Sequence, residues 1–188
     1  YLHSAKIVDT DNLNIGTYIP PYQVTNYEID KYLLENISCP SWCWIFPKKI
    51  AEKFFPIPNC KYEDLYLSFC LKKFSNIKII KDNFYSYRQN EGQTFGHILK
   101  FNKTIGKFRY TRSFKSLSTI KNCKIFSIRE RYLIGISRKY YFLYIKDKNF
   151  LTILLSDLSF PNKIKLVIFR YFSKYYSIFQ KFKYGLDK

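Results

Sequence analysis

A pair of adjacent acids, Glu63 and Asp64, is the feature of this sequence that most directly suggests chemistry. The pair opens a predicted helix, where the helix dipole favours an ionised carboxylate, and such a group can accept a proton from a hydroxyl. Arg88 follows one predicted strand later, and its guanidinium could meet a phosphate or a carboxylate with a fixed fork of donors. On spacing alone the structural interpretation is the commoner one, since acids often occupy the first turn of a helix and an Arg after a strand is often solvated.

Alternating strands and helices must position these residues, which predicts an α/β arrangement. Apolar spacing, Pro and Asn breaks and polar loops define the elements of the first 96 residues. They are, in order, a strand at 5–8, a turn at 9–16, an extended piece at 17–19, a helix at 26–36, an aromatic strand at 42–46, a short helix at 47–55, a helix at 59–74, a strand at 77–80, a second extended piece at 83–88 and a polar loop at 89–96.

Basic residues are concentrated in the second half of the chain. The net charge is +18, with 32 Lys and Arg against 14 Asp and Glu. Residues 1–99 carry 11 basic and 10 acidic side chains, whereas residues 100–188 carry 21 and 4. The first half therefore has the near-neutral charge of an ordinary globular protein, and the second half has a charge suited to binding a polyanion or an anionic membrane surface.

From about residue 97 the sequence is basic and aromatic with helical periodicity, most clearly in residues 163–184. One side of this helix is a polar stripe of Lys163, Arg170, Lys174, Ser177 and Lys181. The other side is apolar and consists of Leu166, Val167, Phe169, Phe172, Tyr176 and Phe179. Two interpretations stay open: the helix lies on an anionic bilayer, or it packs its aromatic face on the protein and leaves its charge in water. Charges interrupt every long apolar stretch, so a membrane-spanning helix is not predicted.

Five cysteines, Cys39, Cys43, Cys60, Cys70 and Cys123, occur at irregular spacings. A zinc site needs thiolates or imidazoles in closely spaced pairs, and the only close pair here has no His near it. The odd number also argues against a disulfide framework. We therefore predict reduced, mostly buried thiols in a cytoplasmic protein.

The sequence contains no Met and begins at Tyr1. Residues 1–17 lack the basic, apolar and small-residue regions of a signal peptide. We therefore expect a piece of a longer protein.

Residues 38–96, which include Glu63-Asp64 and the run Tyr85-Ser86-Tyr87-Arg88, resemble the acceptor half of bacterial family 2 glycosyltransferases with the GT-A fold. In that family an aromatic strand and a basic short helix precede a Glu-Asp pair at a helix start, and a strand ending in Tyr-x-Tyr-Arg comes next. Residues 1–16 resemble the segment that comes after the family's metal-binding acidic motif. The resemblance implies a partial GT-A-like mixed sheet with helices in residues 1–100, followed by a basic, aromatic-rich helical tail in residues 101–188.

The resemblance also implies roles for individual residues. Asp64 would be the general base that deprotonates the acceptor hydroxyl, which then attacks and inverts the anomeric carbon of a nucleotide sugar. Glu63 would support the base or bind the acceptor. Arg88, Gln89 and Thr94 would lie near the donor diphosphate or the acceptor. Trp42 and Trp44 would offer apolar faces to a sugar ring, although two aromatic residues on a strand more often belong to the core.

This sequence departs from the family in its donor side. The nucleotide-binding half, which should end in an Asp-x-Asp metal motif, is not found before the acceptor segment. Asp9-Thr10-Asp11 matches that motif literally but lies only 54 residues before Glu63, which is closer than expected. We interpret it as a turn, with Asp9 and Asp11 as weak metal candidates. A divalent metal, Mg²⁺ or Mn²⁺, is expected in the complete enzyme, and this chain alone is not expected to transfer sugar.

The predicted partners are a nucleotide-sugar donor, a saccharide or lipid-linked acceptor of cell-envelope polysaccharide or lipopolysaccharide synthesis, and an anionic membrane surface. The resemblance implies a cytoplasmic location, with peripheral contact to the inner face of the membrane as an open interpretation. A basic nucleic-acid-binding module is the alternative, although no nucleic acid is expected because the aromatics follow helical faces and no nucleic-acid motif is present. A non-catalytic sugar-binding or membrane-adaptor remnant is the third interpretation.

Overall fold

The computed structural model describes residues 1–20, 28–29, 39–90, 103–146, 149–156, 158–172 and 175. These residues form a mixed α/β structure with a three-stranded sheet and six α-helices. The elements are β1 (Leu2–Val8), β2 (Asn14–Tyr18), a 3-10 helix (Ser41–Cys43), α1 (Lys48–Ala51), α2 (Glu63–Phe74), β3 (Ile79–Arg88), α3 (Lys103–Lys121), α4 (Ile128–Ile145), α5 (Phe150–Leu154) and α6 (Phe160–Tyr171).

The sheet has the strand order β2-β1-β3, with β1 antiparallel to β2 and parallel to β3. The central strand β1 is buried at every position except Lys6, as expected for a strand covered on both faces. Ala5 pairs with Tyr18 on one side and with Tyr85 on the other, so a small residue lies between two tyrosines in one row of the sheet.

Helix α2 supplies much of the core beside the sheet. Its first turn carries Glu63 and Asp64 and its last turn Lys72 and Lys73, the arrangement that the helix dipole favours. Every residue from 65 to 71 is buried. The helix ends at Phe74, and the Ser75 hydroxyl donates a hydrogen bond to the Leu71 carbonyl at 2.6 Å.

Helices α3 and α4 form a pair that packs on α2. Helix α4 begins with a capping box, in which the Ser127 side chain and the Glu130 side chain each accept a hydrogen bond from the other's backbone N–H. Both carboxylate oxygens of Glu130 also lie 2.6 Å from Lys73 Nζ on α2. The Phe126 ring meets the ring of Phe69 edge to face, so the sheet-bearing part and the helical part share one hydrophobic core.

Several predicted elements are confirmed. The strand at 5–8 is the second half of β1, and the helix at 59–74 is α2, which begins four residues later at Glu63. The turn predicted at 9–16 is confirmed in part, since β2 already begins at Asn14, and the extended piece at 17–19 overlaps the end of β2. The short helix at 47–55 is confirmed in part as α1. The predicted helix at 26–36 lies almost entirely outside the described residues, and the loop at 91–96 lies outside them.

Other predicted elements were wrong in their detail. Residues 42–46 are not a strand: Trp42 lies in the 3-10 helix, and Trp44 makes only an isolated bridge to Leu2. The pieces at 77–80 and 83–88 are one strand, because β1 offers a parallel partner along most of β3. The helix predicted at 163–184 begins at Phe160, and α6 ends at Tyr171. Most of residues 173–184 lie outside the part of the chain that the structure describes.

Among the described residues, no helix is long and apolar enough to cross a membrane.

Candidate functional site

Asp64 is half-buried in the first turn of α2, but it does not cap its own helix. Its carboxylate accepts a hydrogen bond from the backbone N–H of Ser41 at 2.8 Å, across 23 residues of sequence. The N-cap position of α2 is Tyr62, which provides no side-chain cap. The carboxylate therefore fixes the 3-10 helix against the start of α2.

The surroundings of Asp64 raise its pKa above the usual value. Burial is the largest cause, because it disfavours the charged form. Hydrogen bonds from Ser41 and the positive charge of Arg112 oppose the rise without cancelling it. A carboxylate with a raised pKa is a stronger base than an ordinary Asp, as a proton acceptor requires.

Arg112 is a site residue that the sequence interpretation missed. It lies on α3, its Nε donates a hydrogen bond to the Lys61 carbonyl at 3.0 Å, and its guanidinium stacks 4.9 Å from the centre of the Tyr62 ring. The basic second half of the chain thus contributes a cation to the start of α2. No local pattern could have revealed it, because Arg112 and Lys61 are 51 residues apart.

An aromatic shelf is connected to Asp64 through the 3-10 helix, in which Trp42 follows Ser41. It consists of Trp42, Tyr85, Tyr87 and Tyr18. The Trp42 ring stacks on Tyr87 at 5.0 Å and on Tyr85 at 5.6 Å, and it meets Tyr18 edge to face at 5.2 Å. Because Trp42 directly follows Ser41, the hydrogen bond to Asp64 also helps to position this ring. Tyr85 is 46% exposed, so the shelf has an accessible aromatic face.

Trp44, the second tryptophan predicted to face a sugar, belongs to the core. It is buried, and its Nε1 donates a hydrogen bond to the Cys39 carbonyl at 3.3 Å. Of the predicted pair, only Trp42 lies on the shelf, because the 3-10 helix turns the two side chains to different environments.

Glu63 and Arg88 do not join Asp64 in a polar network within the described residues. Glu63 is exposed, next to Asp64 in the helix. Arg88 ends β3 and donates a hydrogen bond to Asn12 Oδ1 at 2.7 Å, which directs its guanidinium to the turn after β1. Tyr87 on the shelf precedes it, so Arg88 lies at the end of the same strand.

Two further predicted residues lie at or beyond the end of β3. Gln89 is buried, and its backbone N–H donates to the Val8 carbonyl at 2.7 Å, which extends the ladder between the parallel strands. Thr94 lies outside the described residues.

Asp9 closes the turn between β1 and β2. Its Oδ1 accepts hydrogen bonds from the backbone N–H groups of Asp11 and Leu13, each at 2.9 Å, and Asn12 adopts a positive φ of 63°. The interpretation of this segment as a turn is confirmed. Within the part of the chain that the structure describes, no three His, Cys, Asp or Glu residues cluster to hold a metal. The divalent cation that the resemblance implies stays a prediction.

All five cysteines carry free thiols, and four of them are buried. Cys43 Sγ donates a hydrogen bond to the Pro40 carbonyl at 2.8 Å. The neighbouring Cys39 thiol and burial raise the pKa of Cys43, and burial raises the pKa of Cys70 to about 12. These two thiols therefore stay protonated and inert at neutral pH.

Comparisons with protein-family models, with curated proteins and with solved structures give no match for this chain. The resemblance of residues 38–96 to family 2 glycosyltransferases therefore stays a prediction.

Proposed function

We propose that this chain carries the acceptor site and the catalytic base of an inverting glycosyltransferase. The observation that supports the proposal is the half-buried Asp64 carboxylate, held by Ser41 immediately before the aromatic shelf. A carboxylate connected to an exposed aromatic face suits a sugar acceptor, since the ring can pack on the sugar and the carboxylate can accept a hydroxyl proton.

In the proposed reaction, the Asp64 carboxylate accepts the proton of an acceptor hydroxyl. The hydroxyl oxygen forms a bond to the anomeric carbon of a nucleotide sugar. The bond from that carbon to the phosphate oxygen breaks, and the nucleoside diphosphate leaves with the electron pair. The raised pKa of Asp64 supports this role, because basicity rises with pKa.

The aromatic shelf is proposed to bind the acceptor ring. Sugars present apolar C–H groups on their faces, and an aromatic ring offers a flat apolar surface for them. Tyr85 is the accessible member of the shelf, and Trp42 supports it from the 3-10 helix. Glu63, exposed beside Asp64, is within the helical turn that would face the same acceptor.

The proposal carries three finer statements, on the fold, on the location and donor, and on the acceptor. The three-stranded sheet with α2 corresponds to the acceptor side of a GT-A-like domain, and the protein works in the cytoplasm on nucleotide-sugar donors. The acceptor is a saccharide or a lipid-linked saccharide of envelope polysaccharide synthesis. Each of these rests on the resemblance of residues 38–96 and on the chemistry of Asp64 and the aromatic shelf.

The proposal is tested by saccharide binding to the shelf. A glycan array of bacterial oligosaccharides identifies a ligand, and calorimetry then compares wild type with Tyr85→Ala. We expect the variant to weaken binding by about tenfold, the typical loss when a stacking aromatic is removed. Tyr132→Ala is the matched control, since Tyr132 on α4 is 67% exposed and lies on no part of the shelf.

Three outcomes contradict the proposal. In the first, the array shows no bound saccharide. In the second, Tyr85→Ala and Tyr132→Ala weaken saccharide binding equally. In the third, Tyr85→Ala abolishes a salt-sensitive affinity for single-stranded nucleic acid, which would favour the nucleic-acid alternative.

A further inference from the structure

Large apolar side chains are exposed together on helices α5 and α6. Leu155 is 77% exposed and Phe160 is 74% exposed. We define the α5–α6 apolar surface as these two residues with Phe150, Leu151, Leu154 and Ile164, all of which are exposed. Scattered surface leucines are normal, but a contiguous group of this kind marks an interaction site.

Contacts between the two helices show that the group is contiguous. Lys163 Nζ on α6 donates a hydrogen bond to the Leu154 carbonyl at the end of α5, at 2.7 Å. At the other end, the Phe150 ring meets the Tyr171 ring edge to face at 6.4 Å. The helices therefore run antiparallel, and the connection between them, which holds Leu155, forms the tip of a hairpin.

The opposite side of the hairpin is already used for packing. Ile153 of α5 and Leu166 and Phe169 of α6 are buried in the common core. This confirms that part of the aromatic face of α6 packs on the protein. The α5–α6 apolar surface is thus a second apolar side on helices that have already buried their first.

An apolar groove continues this surface towards α4. A cavity of about 520 Å³ lies between the second half of α4 and α5, and Tyr140, Leu143, Leu151 and Leu155 are among its lining residues. Leu151 and Leu155 belong both to the groove and to the α5–α6 apolar surface, so the two form one apolar region.

The charged side chains that the structure describes around this region are cationic; Asp147 and Asp157, which flank α5 in the sequence, lie outside the described residues. Lys139 on the groove and Lys146 at the end of α4 are exposed, and Lys163 lies on α6. In the described residues from 103 onward, Glu130 is the only acid, and it is committed to the ion pair with Lys73. The described helical part therefore presents apolar and cationic groups without an exposed anion.

We propose that the α5–α6 apolar surface docks on a bilayer that contains anionic lipid. Aliphatic and aromatic side chains enter the boundary between headgroups and acyl chains, while the surrounding lysines meet the phosphates. A nucleic acid would use the cations but has no place for Leu151, Leu154 and Leu155. A protein partner would disfavour lysines around an apolar centre, because Lys is depleted at interfaces.

Vesicle binding tests this proposal directly. Sedimentation with phosphatidylcholine vesicles, with and without phosphatidylglycerol, is compared for wild type, Leu155→Asp and Phe160→Asp. We expect wild type to bind only the vesicles with phosphatidylglycerol, and more weakly as salt is raised. Each variant should lose at least about tenfold in affinity, because it removes one inserted side chain and adds one repelled charge.

Ile128→Asp is the matched control. Ile128 is 80% exposed, so its replacement makes the same change of charge and apolarity on an equally open position. It lies at the start of α4, about 20 Å along the helix from the groove at Leu143. We expect its vesicle affinity to equal that of wild type within about twofold, after allowance for the one negative charge that Asp adds to the protein.

A second probe covers the case in which the Asp variants fail to fold. Phe160→Trp places a fluorophore on the surface, and vesicles with brominated acyl chains should quench its fluorescence, whereas the fluorescence of Ile128→Trp should not be quenched.

The proposal is overturned if no vesicle binds, if Ile128→Asp loses as much vesicle affinity as Leu155→Asp, or if light scattering shows that the surface instead forms a dimer. It is also overturned if tight nucleic-acid binding depends on these positions. No sugar is needed, so the result is independent of the proposed transferase activity.

Discussion

At the residue scale, Asp64 combines a structural contact with an unfavourable electrostatic environment. Its carboxylate holds Ser41, yet burial raises its pKa above the ordinary value. A carboxylate with only a structural role would stabilise the fold more if it were fully solvated or paired with a cation. This combination is typical of functional positions, where the protein accepts a local cost to keep a reactive group in place.

The raised pKa leads to a prediction about stability. A group whose folded-state pKa is raised stabilises the protein when protonated, and this contribution is lost as pH rises through the folded pKa. Asp64→Asn should therefore unfold at neutral pH with a free energy at least as large as that of wild type, because the Asn carbonyl still accepts from Ser41. The difference should shrink as pH falls through the raised folded-state pKa of Asp64, and it should be gone below about 3.8, the ordinary Asp value. Urea unfolding across pH measures both effects.

Asp64→Ala is the control for this prediction. It removes the charge and also the acceptor for the Ser41 N–H, so it should lose about 1 kcal/mol relative to Asp64→Asn. If Asp64→Asn is clearly less stable than wild type at neutral pH, the carboxylate is a structural group and its pKa assignment is wrong.

At the element scale, the contact between α2 and α4 fastens the sheet-bearing part to the helical part. Glu130 caps α4 and binds Lys73 of α2 at 2.6 Å. Burial alone would raise the pKa of Glu130, but hydrogen bonds from Lys73 and Ser127 outweigh burial and lower it. One carboxylate thus stabilises a helix start and an interhelical contact together.

Glu130→Gln should reduce the unfolding free energy by about 1–2 kcal/mol at neutral pH, because it replaces the charged partner of Lys73 with a neutral amide. A lowered pKa stabilises the fold at pH values above 4.5, and this stabilisation is lost as pH falls through the folded value. The difference between wild type and Glu130→Gln should therefore vanish in acid. Urea unfolding of both proteins checks it.

Glu63→Gln is the matched control for Glu130→Gln, since Glu63 is also an acid in the first turn of a helix but is exposed. It should cost less than about 1 kcal/mol. Equal losses in the two variants, or a Glu130→Gln loss that persists in acid, would contradict the role of the ion pair.

The elements that the sequence predicted well are those with local signals. Helix α2 has apolar spacing, acids in its first turn and a polar stop, so its existence and its acid pair could be predicted from the sequence. The 3-10 helix was missed, because an aromatic run favours a strand. Its geometry depends on the hydrogen bond from Ser41 to Asp64, which spans 23 residues and leaves no local signal in the sequence. Strand β3 is continuous because of β1, which no local pattern describes.

The candidate site was predictable only in part for the same reason. Asp64 and Trp42 are in the site as expected, but Arg88 pairs with Asn12 and Trp44 lies in the core. Arg112 came from the half of the chain that was interpreted as a separate basic tail. A sequence indicates which groups can do chemistry, whereas tertiary contacts decide which of them meet.

At the scale of the whole molecule, the charge division of the chain does not correspond to two separate cores. Residues of α2, α3, α4 and α6 share one hydrophobic cluster, and Arg112 of the basic half reaches the start of α2. The predicted division into an acceptor-side half, residues 1–100, and a helical tail, residues 101–188, stays a prediction. In the structure, the helical part has two roles, since it completes the core and presents the α5–α6 apolar surface.

The central claim is that Asp64 is the base of a sugar transfer. The measurement that tests it most directly is the transfer rate of the complete enzyme that the resemblance implies, with a panel of nucleoside-diphosphate sugars, a saccharide acceptor and Mg²⁺ or Mn²⁺. Asp64→Asn should lower transfer by about 100-fold or more, the usual contribution of a general base, with donor binding unchanged. Glu63→Gln should have a smaller effect. Transfer by Asp64→Asn at the wild-type rate, or lost donor binding with retained turnover, would contradict the account.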